Sequence, residues 1–388
     1  MSGSTIGQAV PFLFIPILSK IYSPEQYYEL GLVVTYSSIF AMISTLRLEH
    51  ALLIPETLEE VNELASISLK SLFIVALSVV PILSFFHPFV FSLLVGFCTL
   101  IIGFGFFFIQ YYNRLKRTKK IAINKTIVGP SISISQFLLK FSSFGLVLGK
   151  MLGDLIAITP FFSKDIVKLI LGKTNFIENI KKYRNFPVIT LPHALFGIVS
   201  NKAPLLLFGY LGFKSMSGEF EMVTRLGIAP ITVITSSFYL IFSERFSNKA
   251  RNKEKVTQLL KSNILLIGGL FGLPIIIVSY FAPTLLPLIL GEKWANTGVF
   301  FQYLLPLILA TLFTSPFVYI YQYFNKQWIS LKLEILNSSL KIIGLVIGLQ
   351  ISPQFGILFF ALGALIGYSI FMWNAYRLCL DFDSSLDK

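Results

Sequence analysis

The sequence predicts an all-α polytopic membrane protein with about twelve transmembrane helices in two six-helix lobes. Three observations predict it. The 388-residue chain is 55% hydrophobic and only 13% charged, about half the charged share of an ordinary soluble domain. Its apolar residues, 39 Phe among them, fall in long continuous runs. Its Lys and Arg residues collect in alternate intervals between those runs. A soluble globule of this composition would expose more apolar surface than water tolerates. A disordered chain would be poor in aromatic and aliphatic residues. Barrel strands are short and alternating, which these runs are not.

A helix crosses roughly 30 Å of hydrocarbon with about 20 apolar residues. In the first half such stretches lie at Thr5–Ile21, Tyr28–Leu46, Ala65–Phe86, Phe89–Gln110, Ile121–Phe141 and Ser143–Phe162. In the second half they lie at Phe186–Tyr210, Phe220–Phe242, Asn263–Leu290, Val299–Tyr321, Ile329–Gln350 and Phe355–Arg377. Internal prolines (Pro11, Pro16, Pro81, Pro192, Pro204, Pro230, Pro274, Pro306 and Pro316) predict bends. In a membrane the freed backbone groups must be satisfied by neighbouring helices or cavity water. The longest polar interval divides the chain into an N-lobe at 1–162, a basic cytoplasmic connector at 163–185 and a C-lobe at 186–388. Six spans on either side of a connector match a common transporter plan. The halves share only a Gly-bearing hairpin after their first span, at Gly31 and Gly218.

Orientation follows from the intervals. With the amino terminus inside, 22 of the 32 Lys and Arg lie in cytoplasmic segments. Only Lys20, Lys140, Lys214 and Lys293 lie outside. This is a strong positive-inside bias and places both termini in the cytoplasm. The net charge of +13 is therefore topological, and nucleic acid is not an expected partner. The first apolar run has no basic residue before it, so it reads as a retained helix and not a signal peptide. It begins abruptly at Met1-Ser2-Gly3, which implies a short cytoplasmic lead missing from the start.

Catalytic and metal chemistry find no foothold. Cys98 and Cys379 lie far apart, and His50, His87 and His193 have no zinc spacing. Gly172-Lys173-Thr174 resembles the end of a phosphate loop, but Val167 stands where the opening Gly belongs. Asp381-Phe382-Asp383 resembles a metal-binding carboxylate pair, but a frayed tail supplies no second shell. No enzyme, metal or cofactor is expected, beyond coupling to a proton or sodium gradient.

The informative residues are ionisable groups inside the spans, which are costly in hydrocarbon. Lys70 and Lys125 lie near cytoplasmic helix ends, where a Lys stem reaches the interface. Lys150 and Asp154 form an i,i+4 couple, either mutually neutralising or switching during transport. Lys202, beside Asn201, and Arg225 lie roughly 20–25 Å from the cytoplasmic ends of consecutive helices. Two cations at similar depth repel unless they share water or an anion. A pairing of Arg225 with Glu221 competes with this and would leave Lys202 unanswered. Glu334, Asn337, Ser338 and Lys341 line one face of the eleventh span. Three helices of the C-lobe thus present Lys202, Arg225 and Lys341 toward one expected cavity.

Several segments resemble a known family. Ser2-Gly3-Ser4-Thr5-Ile6-Gly7-Gln8-Ala9 and Pro16-Ile17-Leu18-Ser19-Lys20-Ile21-Tyr22-Ser23-Pro24-Glu25 resemble the first helix and hairpin of bacterial polysaccharide-unit flippases. These are the Wzx-type O-antigen translocases of the multidrug/oligosaccharidyl-lipid/polysaccharide exporter superfamily. Thr45-Leu46-Arg47-Leu48-Glu49-His50-Ala51-Leu52-Leu53-Ile54-Pro55 matches the segment after the second span. Further matches are Asn113-Arg114, Gly145-Leu146-Val147-Leu148-Gly149, Tyr183-Arg184-Asn185-Phe186-Pro187, Arg225 with Pro230, and Gly291-Glu292-Lys293-Trp294. Tyr28 departs from the family's usual Gly after the Pro-Glu turn.

The resemblance implies a flippase in the bacterial cytoplasmic membrane that carries an undecaprenyl-diphosphate-linked oligosaccharide by alternating access, alongside other polysaccharide-assembly membrane proteins. Arg47, Glu49 and Arg225 sit on family motifs. Arg47 and Glu49 are gate or charge-pair candidates, with Lys150, Asp154 and Glu334. Substrate-binding candidates are Lys202, Arg225, Lys341 and Asn201. The rival readings are a multidrug exporter of the same superfamily and a membrane polysaccharide polymerase. The exporter's cationic cargo favours embedded carboxylates, and the polymerase typically carries a long external loop.

Overall fold

A computed structural model describes residues 2–172 and 174–386. All of the regular structure among the described residues is helical, and each predicted span falls on a helix. The first half comprises α1 (Ser2–Ile21), α2 (Pro24–Thr45), α3 (Leu58–Ser84), α4 (Phe89–Arg114), α5 (Thr118–Leu138) and α6 (Gly145–Ile158). The second comprises α7 (Phe186–Tyr210), α8 (Lys214–Arg251), α9 (Thr257–Leu290), α10 (Glu292–Tyr323), α11 (Gln327–Leu349) and α12 (Pro353–Leu386). Among the described residues seven helices, α3, α4, α7, α8, α9, α10 and α12, are long and apolar enough to cross a membrane. The protein is a multi-pass membrane protein. Met1, Lys173 of the phosphate-loop-like turn and Lys388 of the tail lie outside the described residues.

Local chemistry sets the helix ends. Ser23 and Gln26 form a reciprocal capping box at the start of α2, satisfying two backbone donors that the first turn leaves free. Leu46 and Arg47, both at positive φ, stop α2 and turn the chain. In α7, α8 and α9 the prolines act in a common way. Each helix contains a π turn, at Phe186–Thr190, Thr224–Ile228 and Gly268–Gly272. A proline follows each, at Pro192, Pro230 and Pro274. A proline nitrogen cannot donate to the carbonyl four residues back. That carbonyl lies inside the π turn in all three cases, so the wider turn absorbs the lost bond and the ring's bulk.

The chain packs as two compact units, Met1–Ile198 and Val199–Lys388. In the first, aromatic residues of α4 stack with Phe161, and Tyr112 donates its hydroxyl to the Phe161 carbonyl. Gly149 and Gly153 let α6 approach α5 closely: a Cβ at either would lie 2.4–2.5 Å from the backbone of Ile132 or Gln136. The connector is ordered as two short helices, Lys164–Leu171 and Phe176–Lys182. It is tied to α3: Tyr183 donates to Glu60 at 2.8 Å, Asn179 to Glu63 at 3.0 Å, and Lys70 Nζ to the Gly172 carbonyl at 2.5 Å. Lys70 lies twelve residues into α3 and not near its start as expected, because the helix begins before the predicted span. Its ammonium is satisfied by the connector. The connector therefore packs within the first unit, and the unit boundary falls inside α7.

In the second unit α11 and α12 pack along most of their lengths. Gly344, Gly348, Gly363 and Gly367 line that contact. The tail is not frayed, contrary to the expectation for Asp381-Phe382-Asp383. Asp383 is 8% exposed and accepts from the Val256 and Thr257 backbone N–H groups at 2.8 and 3.0 Å. A carboxylate of α12 thus caps the first turn of α9, where orphan donors and the helix dipole both favour negative charge. Asp383→Ala should cost about 1–2 kcal/mol and lower the thermal midpoint of the detergent-solubilised protein. Asp383→Asn, which keeps one acceptor, should lose less in the same measurement.

Candidate functional site

Three consecutive residues of α7 organise the polar interior of the second unit. Ser200 accepts from the Ser338 hydroxyl of α11 at 3.0 Å. Asn201 accepts from Lys341 Nζ of α11 at 2.8 Å. Lys202 Nζ donates to Glu221 Oε2 of α8 at 2.6 Å. Successive residues of a helix point about 100° apart, so one tripeptide reaches two neighbouring helices.

Lys202 meets Glu221 because α7 and α8 form a hairpin. The two residues are equidistant from the Leu211-Gly212 turn, where Gly212 takes φ 88°. Ser217, which donates to the Leu205 carbonyl at 3.2 Å, follows that symmetry to within one residue. Glu221 also pairs with Arg225, whose Nε lies 3.5 Å from Oε1. Arg225 itself sits in the π turn of α8. The expectation that a Glu221–Arg225 pair leaves Lys202 unanswered is therefore corrected. One buried carboxylate bridges both cations, and the three groups together keep one surplus positive charge. Lys202 and Arg225 keep 24% and 30% of their side-chain surface exposed, against 7% for Glu221.

Lys341 differs. It is fully enclosed, bound to Asn201, with its ammonium 6.0 Å from the centre of the Tyr368 ring on α12. At that distance the ring face is attractive to a cation. Glu334, two turns before Lys341 on α11, accepts from Ser338 at 3.4 Å. The polar face of α11 is thus turned toward α7, and the candidates Asn201, Lys202, Arg225, Lys341 and Glu334 come together on three helices. Sequence reasoning missed Ser200, Tyr368 and the bridging role of Glu221. Hairpin symmetry about Gly212 was the available signal for the last.

The remaining charge pairs lie in the first unit. Arg47 Nη1 is 3.4 Å from Glu49 Oε1, and Glu49 is fully buried. The Arg47 guanidinium lies 6.0 Å from the Phe106 ring centre, and Gln110 is 3.5 Å from His50 Nδ1. His50 Nε2 lies 3.7 Å from the same Glu49 oxygen. Burial, helped by the Arg47 charge, pushes the imidazole down to about 4, so the ring is neutral at pH 7. Burial pushes the Glu49 carboxyl up, against the opposing pull of Arg47 and the Thr45 hydroxyl. Lys150 and Asp154 of α6 form a direct ion pair. Among the described residues no group of His, Cys, Asp and Glu could hold a metal ion.

This arrangement of helices is a fold found in solved membrane transporters. Over 98% of this chain and 95% of the other it resembles an inward-facing multidrug resistance MATE family transporter of the MOP superfamily, with TM-score 0.73 and 15% identity. It is similar to the lipid II flippase MurJ in its inward closed conformation, with TM-score 0.75 and 14% identity over 99% and 89% of the two chains. A Vibrio cholerae MATE transporter aligns over 100% and 94%, with TM-score 0.54 and 14% identity. No curated protein sequence matches. The model of the family described as polysaccharide biosynthesis protein matches residues 17–298, and the chain belongs to that family.

Glu221→Ala leaves two cations facing each other and should destabilise the second unit by about 3–5 kcal/mol. Adding Lys202→Met to that variant should recover part of the loss in a thermal unfolding measurement. The loop after α2 carries a pH dependence. Between 6.5 and about 4 only unfolded His50 takes a proton, so its contribution to stability is lost as pH falls through that window. Glu49, raised, works in the opposite sense, its contribution being lost as pH rises through its folded value. His50→Gln should therefore hold its thermal midpoint better than the native protein on acidification from pH 6.5.

Proposed function

We propose that this protein is a flippase for an undecaprenyl-diphosphate-linked oligosaccharide in the bacterial cytoplasmic membrane, with both termini cytoplasmic. One observation carries the reading. Glu221 holds two half-buried cations, Lys202 and Arg225, within the helices with one positive charge to spare. A diphosphate and its sugars cannot enter hydrocarbon unaided, because stripping the charge of water is prohibitive. An anion that approaches Lys202 and Arg225 displaces water from them and supplies a second counterion beside Glu221, while its prenyl tail stays in lipid. Membership of the polysaccharide biosynthesis family and the likeness to a lipid II flippase support this reading.

Translocation proceeds by alternating access, with two six-helix lobes as the moving parts and a proton or sodium gradient as the drive. Partners are the lipid-linked substrate, membrane lipids and neighbouring polysaccharide-assembly proteins. The protein transports and does not catalyse. The likeness to a multidrug transporter favours a second reading, export of organic cations. A site with surplus positive charge repels such cargo, which sets it behind the first.

Lys202→Ala and Arg225→Ala should each abolish movement of a defined lipid-linked oligosaccharide in reconstituted vesicles while leaving membrane expression intact. Arg225→Lys should rescue part of the rate. Full activity of the double Ala variant removes the anion-site reading. A deletion strain that gains drug susceptibility but keeps its surface polysaccharide favours the exporter. The same vesicle assay with and without an ion gradient tests the drive.

A further inference from the structure

Lys341 is fully enclosed, so no ligand reaches it, yet it hydrogen-bonds Asn201, which is exposed. An ammonium carries three donors and no acceptor. A side-chain amide therefore meets it oxygen first, and the amide N–H2 must point away. Asn201 Oδ1 lies 2.8 Å from Lys341 Nζ, so the orientation of the amide is set from behind. Among the described residues nothing accepts from Asn201 Nδ2. A polar group within a span faces protein or water and not lipid. An acceptor lies across the seam between α7 and α11. Ser338 bridges Ser200, at 3.0 Å, and Glu334 Oε1, at 3.4 Å. This brings the half-buried Glu334 beside the tripeptide that carries Asn201. Among the described residues no donor meets Glu334 Oε2.

An amide donor and a carboxylate acceptor on facing helices suit a ligand whose groups both accept and donate. Hydroxyl groups do both. A diphosphate brings negative charge, which Glu334 repels. An organic cation suits Glu334 but is repelled by the surplus positive charge on Lys202 and Arg225. Asn201 directly precedes Lys202, so one turn of α7 serves an anion and its neighbouring group together. We propose that Asn201 and Glu334 hold hydroxyl groups of the sugar next to the diphosphate, an assignment that rests on the flippase reading above. Lys341 is the positioning residue. It never meets the sugar, but it fixes which end of the Asn201 amide the sugar finds. The enclosed cation thus takes part in recognition without touching the ligand.

The test compares two ligands on the full-length protein in nanodiscs: undecaprenyl diphosphate and the same lipid carrying one hexose. The native protein should bind the glycosylated lipid severalfold more tightly. Glu334→Leu, which also removes a charge from the span, should lower that affinity ratio about fivefold, the share of one hydrogen bond. Asn201→Leu should do the same. Lys341→Met lets the amide turn and should lower the ratio as well. Lys341→Gln, which still donates to Asn201, should restore most of it. Thermal unfolding checks each fold, and Glu334→Leu decides the sugar assignment if the Lys341 variants do not fold. A native ratio of one, or a ratio unaltered in Glu334→Leu and Asn201→Leu, overturns the sugar subsite alone. An unaltered ratio in a folded Lys341→Met overturns its positioning role. Equal loss for both lipids in Asn201→Leu assigns the amide to the diphosphate and overturns the subsite too. So does binding of tetraphenylphosphonium that Glu334→Leu abolishes. If neither lipid binds the native protein, the flippase reading fails and the subsite fails with it.

Discussion

A carboxylate shared between two cations, within helices built for hydrocarbon, is the constraint around which the second unit is organised. Lys202 and Arg225 could not lie on adjacent helices without Glu221 between them, because like charges in a medium of low dielectric repel strongly. Glu221 in turn reaches Lys202 only because α7 and α8 return on each other at Gly212. The hairpin fixes the register of α7, and that register presents Ser200 and Asn201 to α11. The placement of the buried Lys341 follows from the same turn. The arrangement is left one negative charge short: one carboxylate serves two cations, and a further anion has a reason to approach.

The same rule, that charge in the interior must be answered, governs the remaining buried acids. Glu219 accepts from Asn296 at 3.2 Å and Thr297 at 3.3 Å at the start of α10. Asp383 does comparable work at the start of α9. Glu49 gathers Arg47 and His50 in the loop after α2. These acids are spent on helix ends and turns and hold the scaffold. Glu221 alone of this set is held between two half-exposed cations, which is what singles it out as part of a site.

Much of this was legible in the sequence. Apolar run length located the helices, because the bilayer sets one strong length requirement. Several overrun their apolar stretch: α8 starts six residues before it and ends nine after it, and α12 ends nine after it. The cations of the site were visible for a related reason, since any ionisable group in such a run stands out. Their partners were less so. Asn201 and Tyr368 are ordinary residues in composition, and their importance arises from which helix faces meet. Asp383 was misjudged because proximity to a chain end says little about burial when the final helix packs along its whole length. The connector was read as a polar interval, yet Asn179, Lys182 and Tyr183 give it specific anchors on α3.

The π turns have a geometric consequence for the helices that contain them. A π turn amounts to one extra residue in an α-helix, and one residue is about 100° of rotation. Everything beyond Thr224–Ile228 on α8 is therefore out of phase with everything before it. Lys214–Val223 directs one stripe at α7 and α10, while the segment from Ala229 onward addresses its neighbours with a stripe rotated by more than a quarter turn. A helical wheel drawn through α8 as a single regular helix would merge two surfaces that never coincide. Arg225 stands at the point where the phase slips, on a backbone already detached from strict α-helical spacing.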